Sequence, residues 1–207
     1  NRVEKQAAGI ISENMFLGPV TIYGCNKLYC EHLGTYYSQH YQRLGAEEHH
    51  CYIDFRSIRF PGIISSTTIP TGGTSDYIPE MLHTAARGET YKCFVRADSK
   101  IPFITMPDAV QAIQDIMIAP IKNLSQTVYN IRAFAPTAEE FRQKIIEGFP
   151  QAKIEYNINE KRQNMVDSWP ADTNDSVARS DWNWDPQHDL ETGMEEYLIP
   201  DMKEIYS

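Results

Sequence analysis

Short runs of strand length take turns with longer stretches of helical periodicity along most of this chain. Strands are predicted over residues 54–60, 91–95, 103–106, 127–131 and 153–157, and helices over 22–41, 76–87, 109–119, 138–147, 174–181 and 190–197. In residues 22–41, Ile22, Leu28, Leu33, Tyr36 and Tyr37 recur near helical spacing. Residues 54–60 alternate apolar and polar and stop at Pro61-Gly62. Asp76 is placed to cap the next helix, with Pro79 in its first turn, where backbone N–H groups have no intrahelical partner. Pro107-Asp108 opens a further helix and Pro120 ends it. Residues 1–20, 42–52, 65–75 and the stretch after 157 are expected as loops. Alternation of this kind implies an α/β fold with a parallel sheet.

Charge and composition remove several functions. With 28 acidic against 19 basic residues, the net charge is −9, and a nucleic-acid binder needs a basic face to replace counterions. The same balance disfavours an anionic membrane surface, and no apolar run reaches the eighteen or so residues of a membrane span. The four cysteines (Cys25, Cys30, Cys51, Cys93) form no C-x-x-C pair, which points to reduced thiols in an intracellular protein. His49-His50 lack further spaced ligands, so no metal is expected. The chain starts on Asn1, and its first ten residues match neither a signal peptide nor an Arg-rich transit peptide.

The sharpest local signal is Tyr23-Gly24-Cys25-Asn26-Lys27 at a helix start. Spacing of i, i+4 puts the phenol and the ammonium on one helix face. A phenol is a weak base, and a neighbouring ammonium favours its ionised form. Such a pair can take a proton from a substrate hydroxyl while hydride leaves the adjacent carbon. The bland alternative is a chance pair of surface residues.

The company it keeps decides between them. Residues 21–33 (TIYGCNKLYCEHL), 54–65 (DFRSIRFPGIIS), 72–77 (GGTSDY), 106–109 (MPDA), Tyr129-Asn130 and 162–170 (RQNMVDSWP), followed by Asp175-Ser176, Ala178-Arg179 and Asp181-Trp182, occur in that order. The series resembles the L-threonine 3-dehydrogenase branch of the extended short-chain dehydrogenase family, relatives of the nucleotide-sugar epimerases. Tyr-x-x-x-Lys and Pro-Gly mark the superfamily, whereas Gly-Gly-Thr-x-Asp-Tyr and Asp-Ser-Trp-Pro are more particular. The resemblance implies an NAD cofactor, L-threonine as small-molecule substrate, and a homodimer when full length. It implies a mitochondrial location in a eukaryote and a cytoplasmic one in a bacterium. Tyr23 would be the catalytic acid/base, and Lys27 would support it and bind the nicotinamide ribose. Phe60, Pro61, Gly62 and Ile63 would lie along the nicotinamide, with backbone approach eased by Gly62. Thr74 would sit at the substrate and Trp169 would close over it. Plainer readings stand beside these: Trp169 as a core aromatic, Gly72-Gly73 as an ordinary turn, Asp108 as a helix-start residue.

Three departures qualify the match. Family members open on a βαβ unit with a Gly-rich phosphate loop, and no G-x-x-G-x-x-G occurs here. Only 22 residues precede Tyr23, where several βα units would need roughly a hundred. No residue among 1–20 matches the family's catalytic Ser or Thr, since Ser12 stands in the wrong surroundings. Residues 42–52 read as an insertion. The expected architecture is therefore a partial doubly wound, Rossmann-type parallel sheet lacking its N-terminal strands, plus a smaller α/β substrate-binding region. Residues 1–65 would be a remnant of the nucleotide-binding domain, and 66–207 mainly the substrate region with segments returning to the sheet. An incomplete chain of this kind is expected to be inactive alone. Two rivals stay open: an inactive remnant serving as an interaction or dimerisation module, and a nucleotide-sugar epimerase or reductase.

Overall fold

The computed structural model describes residues 10–41 and 53–207. The reading of 42–52 as an insertion, with His49, His50 and Cys51, lies outside them. Helix α1 (Ile22–Thr35) starts where predicted because the Thr21 hydroxyl accepts the Gly24 N–H at 3.1 Å. A π-helical turn, Tyr36–His40, carries it on. No residue of either segment is buried. Polar contacts hold α1 in place: Arg59 grips Glu31 through two bonds of 2.9 and 2.7 Å, and the Thr35 and Thr127 hydroxyls meet at 2.9 Å.

Every ladder among the described strands is parallel, as the alternation of elements requires. β1 (Ile10–Ile11) pairs with β8 (Asp172–Thr173), and β2 (Ser57–Arg59) with β6 (Val128–Asn130). β3 (Gly62–Ile64) pairs with β5 (Phe103–Thr105), and β4 (Thr90–Cys93) with β7 (Lys153–Tyr156). The strand predicted over 54–60 is the shorter β2, and β3, which serves a different partner, begins past the expected stop at Pro61. Pro61 has no N–H for a ladder, and the next donor, Gly62 N–H, goes to the Pro102 carbonyl at 3.1 Å. Just before β2, Arg56 donates to the carbonyls of Ile116, Met117 and Ala119. It thereby satisfies the open C-terminal end of α3 (Met106–Ile118) and complements the helix dipole.

β5 is the wall between two cores. Phe103 and Ile104 are consecutive, so they face opposite sides of the strand. Phe103 joins a cluster built from α2 (Tyr77–Ala86), β4, α4 (Ala138–Gly148), β7 and the C-terminal helices. Within it the Phe103, Phe141 and Phe134 rings meet edge-on, with centroids 5.8 and 6.1 Å apart along the series. Ile104 joins the other cluster, with Ala109, Ala112 and Ile116 of α3, Tyr129 of β6, and Trp182 and Trp184. Trp182 ends α6 (Ser176–Trp182).

Several expectations need correcting. Asp76 occupies the cap position of α2, but its carboxylate makes no cap bond and instead accepts the N–H groups of Thr71 and Gly73. The helix expected from 109 begins at Met106, capped by Thr105, whose hydroxyl accepts the Asp108 N–H at 3.3 Å. The loop expected after 157 contains α5 (Glu160–Asp167), capped by Asn159. Its sequence hides it because only Gln163 and Val166 are buried, so no apolar stripe forms. Gln163 instead accepts the Arg96 N–H at 2.7 Å and donates to Ser99 at 3.0 Å. The last helix also outruns the prediction. After α7 (Leu190–Thr192), a π-helical turn, Gly193–Leu198, leads without a break into α8 (Ile199–Ile205), with Pro200 near the junction of the two.

Candidate functional site

α1 enters the site from one side. Tyr23 and Lys27 share a face, and the Lys27 ammonium lies over the Tyr23 ring, 5.3 Å from its centroid. Both line an open cleft of about 650 Å³. The opposite wall comes from far along the chain: Thr74 from the long loop, and Met165, Ser168, Trp169 and Pro170 from the end of α5. The segment before α1, from Phe16 to Val20, supplies an apolar floor.

The long loop is folded by its own residues. Gly72 has φ +89°, a conformation that side chains avoid. The Asp76 carboxylate gathers the Gly73 N–H at 2.7 Å and the Thr71 N–H at 3.2 Å. From outside, Arg162 of α5 donates to the carbonyls of Gly72 and Gly73 at 3.2 and 2.6 Å. Thr74 is thereby presented at the cleft.

The structure therefore brings together four of the residues singled out in the sequence: Tyr23, Lys27, Thr74 and Trp169. It does not bring Phe60, Pro61, Gly62 or Ile63 to that cleft. Phe60 and Ile63 are each 38 % exposed. Gly62 answers a packing demand, because a Cβ there would come within 2.6 Å of the Phe103 ring. Trp169 lines the cleft and also packs on the larger core, as its plainer reading as a core aromatic expects. Asp108 is structural: it is buried, takes the Thr105 hydroxyl at 3.0 Å, and accepts the N–H groups of Gln187 and His188.

Sequence reasoning missed Ser168, Met165 and the apolar floor. Ser168 turns its hydroxyl onto the Met165 carbonyl at 2.6 Å, closing the helix end beside Trp169. Its neighbour in Asp-Ser-Trp-Pro was the available signal. Nothing local in residues 16–20 marks them, because only the return of α5 gives them a facing wall.

Residues 4–131 match the NAD dependent epimerase/dehydratase family. The chain belongs to that family. Among curated proteins it is 38 % identical over 172 residues to the mitochondrial L-threonine 3-dehydrogenase of Bos taurus. That alignment covers 83 % of this chain and 43 % of the bovine protein, so the chain spans about half the length of such relatives. Among solved structures, L-threonine 3-dehydrogenase from Trypanosoma brucei superposes with a TM-score of 0.85 at 33 % identity, over 98 % of this chain and 60 % of that one. L-threonine dehydrogenase from Clostridium difficile gives 0.87 at 30 % identity, with the same 98 % and 60 % coverage. The Rossmann-type α/β fold and the likeness to threonine dehydrogenases, drawn first from motifs, rest on these matches as well. No helix among the described residues is long and apolar enough to cross a membrane.

Proposed function

We propose that this chain carries the proton-transferring and substrate-facing part of an NAD-dependent dehydrogenase that oxidises the secondary hydroxyl of L-threonine to 2-amino-3-oxobutanoate. The observation that carries this reading is the meeting of Tyr23 and Lys27 with Thr74 and Trp169 across one cleft. Tyr23 is 70 % exposed, so its phenolic oxygen is free to reach a bound hydroxyl and accept its proton. The Lys27 ammonium lies beside the Tyr23 ring, and with Tyr23 it would hold the nicotinamide ribose. Bound NAD supplies the hydride acceptor. A small zwitterion offers few contacts, so Thr74 is assigned a hydrogen bond to it and Trp169 the exclusion of water. In this division, residues 1–65 belong to the nucleotide-binding part. Residues 66–207 belong to the substrate side, with β5 and β6 returning to β3 and β2. The complete enzyme is expected to be a homodimer.

A second reading, an inactive interaction or dimerisation module, draws support from α1 itself, where Ile22 and Tyr29 are 78 % and 62 % exposed. A chimera joining this chain to the nucleotide-binding half of the bovine relative separates the two. Tyr23→Phe should lower kcat for threonine about 10²–10⁴-fold, with NAD affinity nearly unchanged. Thr74→Ala should raise KM by one lost hydrogen bond, about 0.5–1.5 kcal/mol. Near-normal turnover by Tyr23→Phe would defeat the catalytic assignment. A chimera that ignored threonine and turned over a nucleotide sugar would place the chain with the epimerases.

A further inference from the structure

We propose that Arg162 is a positioning residue that locks the Gly72–Gly73 loop to α5, so that Thr74 and Trp169 form one rigid wall of the cleft. This deepens the reading of the cleft as a substrate site and rests on it. Arg162 stands in the first turn of α5, where Asn159 accepts its backbone N–H at 3.2 Å. Its guanidinium is fixed on three sides. The Phe94 ring lies 3.1 Å beneath it, the Glu80 carboxylate is 3.8 Å away, and one terminal nitrogen serves both glycine carbonyls. Glu80 is in turn held by the Tyr91 hydroxyl at 2.8 Å.

The loop is thus gripped from both edges, its N–H groups by Asp76 and its carbonyls by Arg162. Asp76, at the start of α2, ties the loop only to the helix that directly follows it. Arg162 ties it to α5, and seven residues further along the same helix and turn stands Trp169, roughly 10 Å away at helical rise. A planar, stacked guanidinium loses little freedom in making two bonds, which suits it to a rigid link better than a lysine ammonium. Displacement of the loop should therefore reach Trp169 through Arg162.

Tryptophan fluorescence reads this directly in the 207-residue chain. Trp182 and Trp184 are only 5 % and 1 % exposed, so acrylamide quenching reports mainly on Trp169. Gly73→Ala disturbs the loop from its own side, since the new Cβ would sit 3.0 Å from the Asp76 carboxylate. With Arg162 present, Gly73→Ala should raise the quenching constant about twofold. In an Arg162→Lys or Arg162→Gln background, the same change should leave quenching unaltered, while residues 71–75 exchange their amide hydrogens at least tenfold faster. Urea midpoints establish that each variant is folded, and the two Arg162 substitutions back each other up. An equal effect of Gly73→Ala in both backgrounds, or none in either, would overturn the proposal. No ligand takes part, so that failure leaves the dehydrogenase reading standing, and failure of Tyr23→Phe leaves the clamp standing.

Discussion

α1 lines the cleft and α2 follows the loop that presents Thr74 to it, yet the two helices are built on opposite terms. α2 has ten residues, of which Tyr77, Ile78, Met81, Leu82, His83 and Ala85 are buried. α1 has fourteen and buries none, relying on the Arg59–Glu31 pair and the Thr35–Thr127 contact. The helix that carries Tyr23 and Lys27 is therefore placed by a few directional polar bonds and the Phe55 ring against Gly34, and α2 by a broad buried face. Local stability follows burial, so the two should open at different free energies.

The largest expected difference is in core truncation. Phe141 is fully buried on α4 among Phe103 and Phe134, and Phe141→Ala should cost about 3–5 kcal/mol in urea unfolding. Ile22→Ser on α1 should stay within about 0.5 kcal/mol. Comparable losses would show that α1 belongs to the same cooperative unit.

Cysteine reactivity sharpens the contrast. Burial pushes the Cys93 thiol up to about 11, whereas Cys25 and Cys30 are exposed on α1. Thiolate is the reactive form. N-ethylmaleimide at pH 7, followed by peptide mapping, should label Cys25 and Cys30 at least tenfold faster than Cys93. Equal rates would mean that the larger core opens as readily as α1.

Helix caps come next. Thr137 caps α4 in a reciprocal capping box with Glu140, and Thr21 caps α1. Thr137→Ala should lower global stability by about 0.5–2 kcal/mol. Thr21→Ala should leave the urea midpoint in place and speed amide exchange in α1 alone. A global loss from Thr21→Ala would erase the distinction.

The smallest effect is a pH dependence. The Thr137 backbone N–H, then its hydroxyl, hold the Glu140 carboxyl below the ordinary glutamate value. A carboxyl depressed in the folded state adds stability above its unfolded value near 4.3, and that contribution is lost as pH falls through the lower folded value. Between pH 5 and 3, the wild-type Tm should fall slightly more than that of Glu140→Gln. Identical slopes would remove Glu140 from the acid response.

What the residues determined unaided was local. The helix start at Ile22, the stop at Pro120 and the shared face of Tyr23 and Lys27 follow from interactions spanning four residues or fewer. Those forces operate in any tertiary setting. Motif order also named Thr74 and Trp169, though not what brings them together.

Tertiary structure decided the rest, because the deciding partners lie far apart in the chain. β1 and β8 are two residues each, too short for any periodicity, and exist only because they find one another across some 160 residues. β3, past Pro61, went unpredicted, and its ladder is set by Pro102, which accepts the Gly62 N–H, while Thr127 accepts that of Ser57 for β2. α5 has no apolar stripe and is recognised through Gln163 and Arg162, whose partners sit about 65 and 90 residues earlier. The cleft itself arises in this way, since its Tyr23–Lys27 face depends on a helix start and its opposite wall on a loop and a helix end folded back against it. Short-range rules choose what each segment is. Only long-range packing and hydrogen bonding, which offset the entropy of closing such loops, choose what each segment faces.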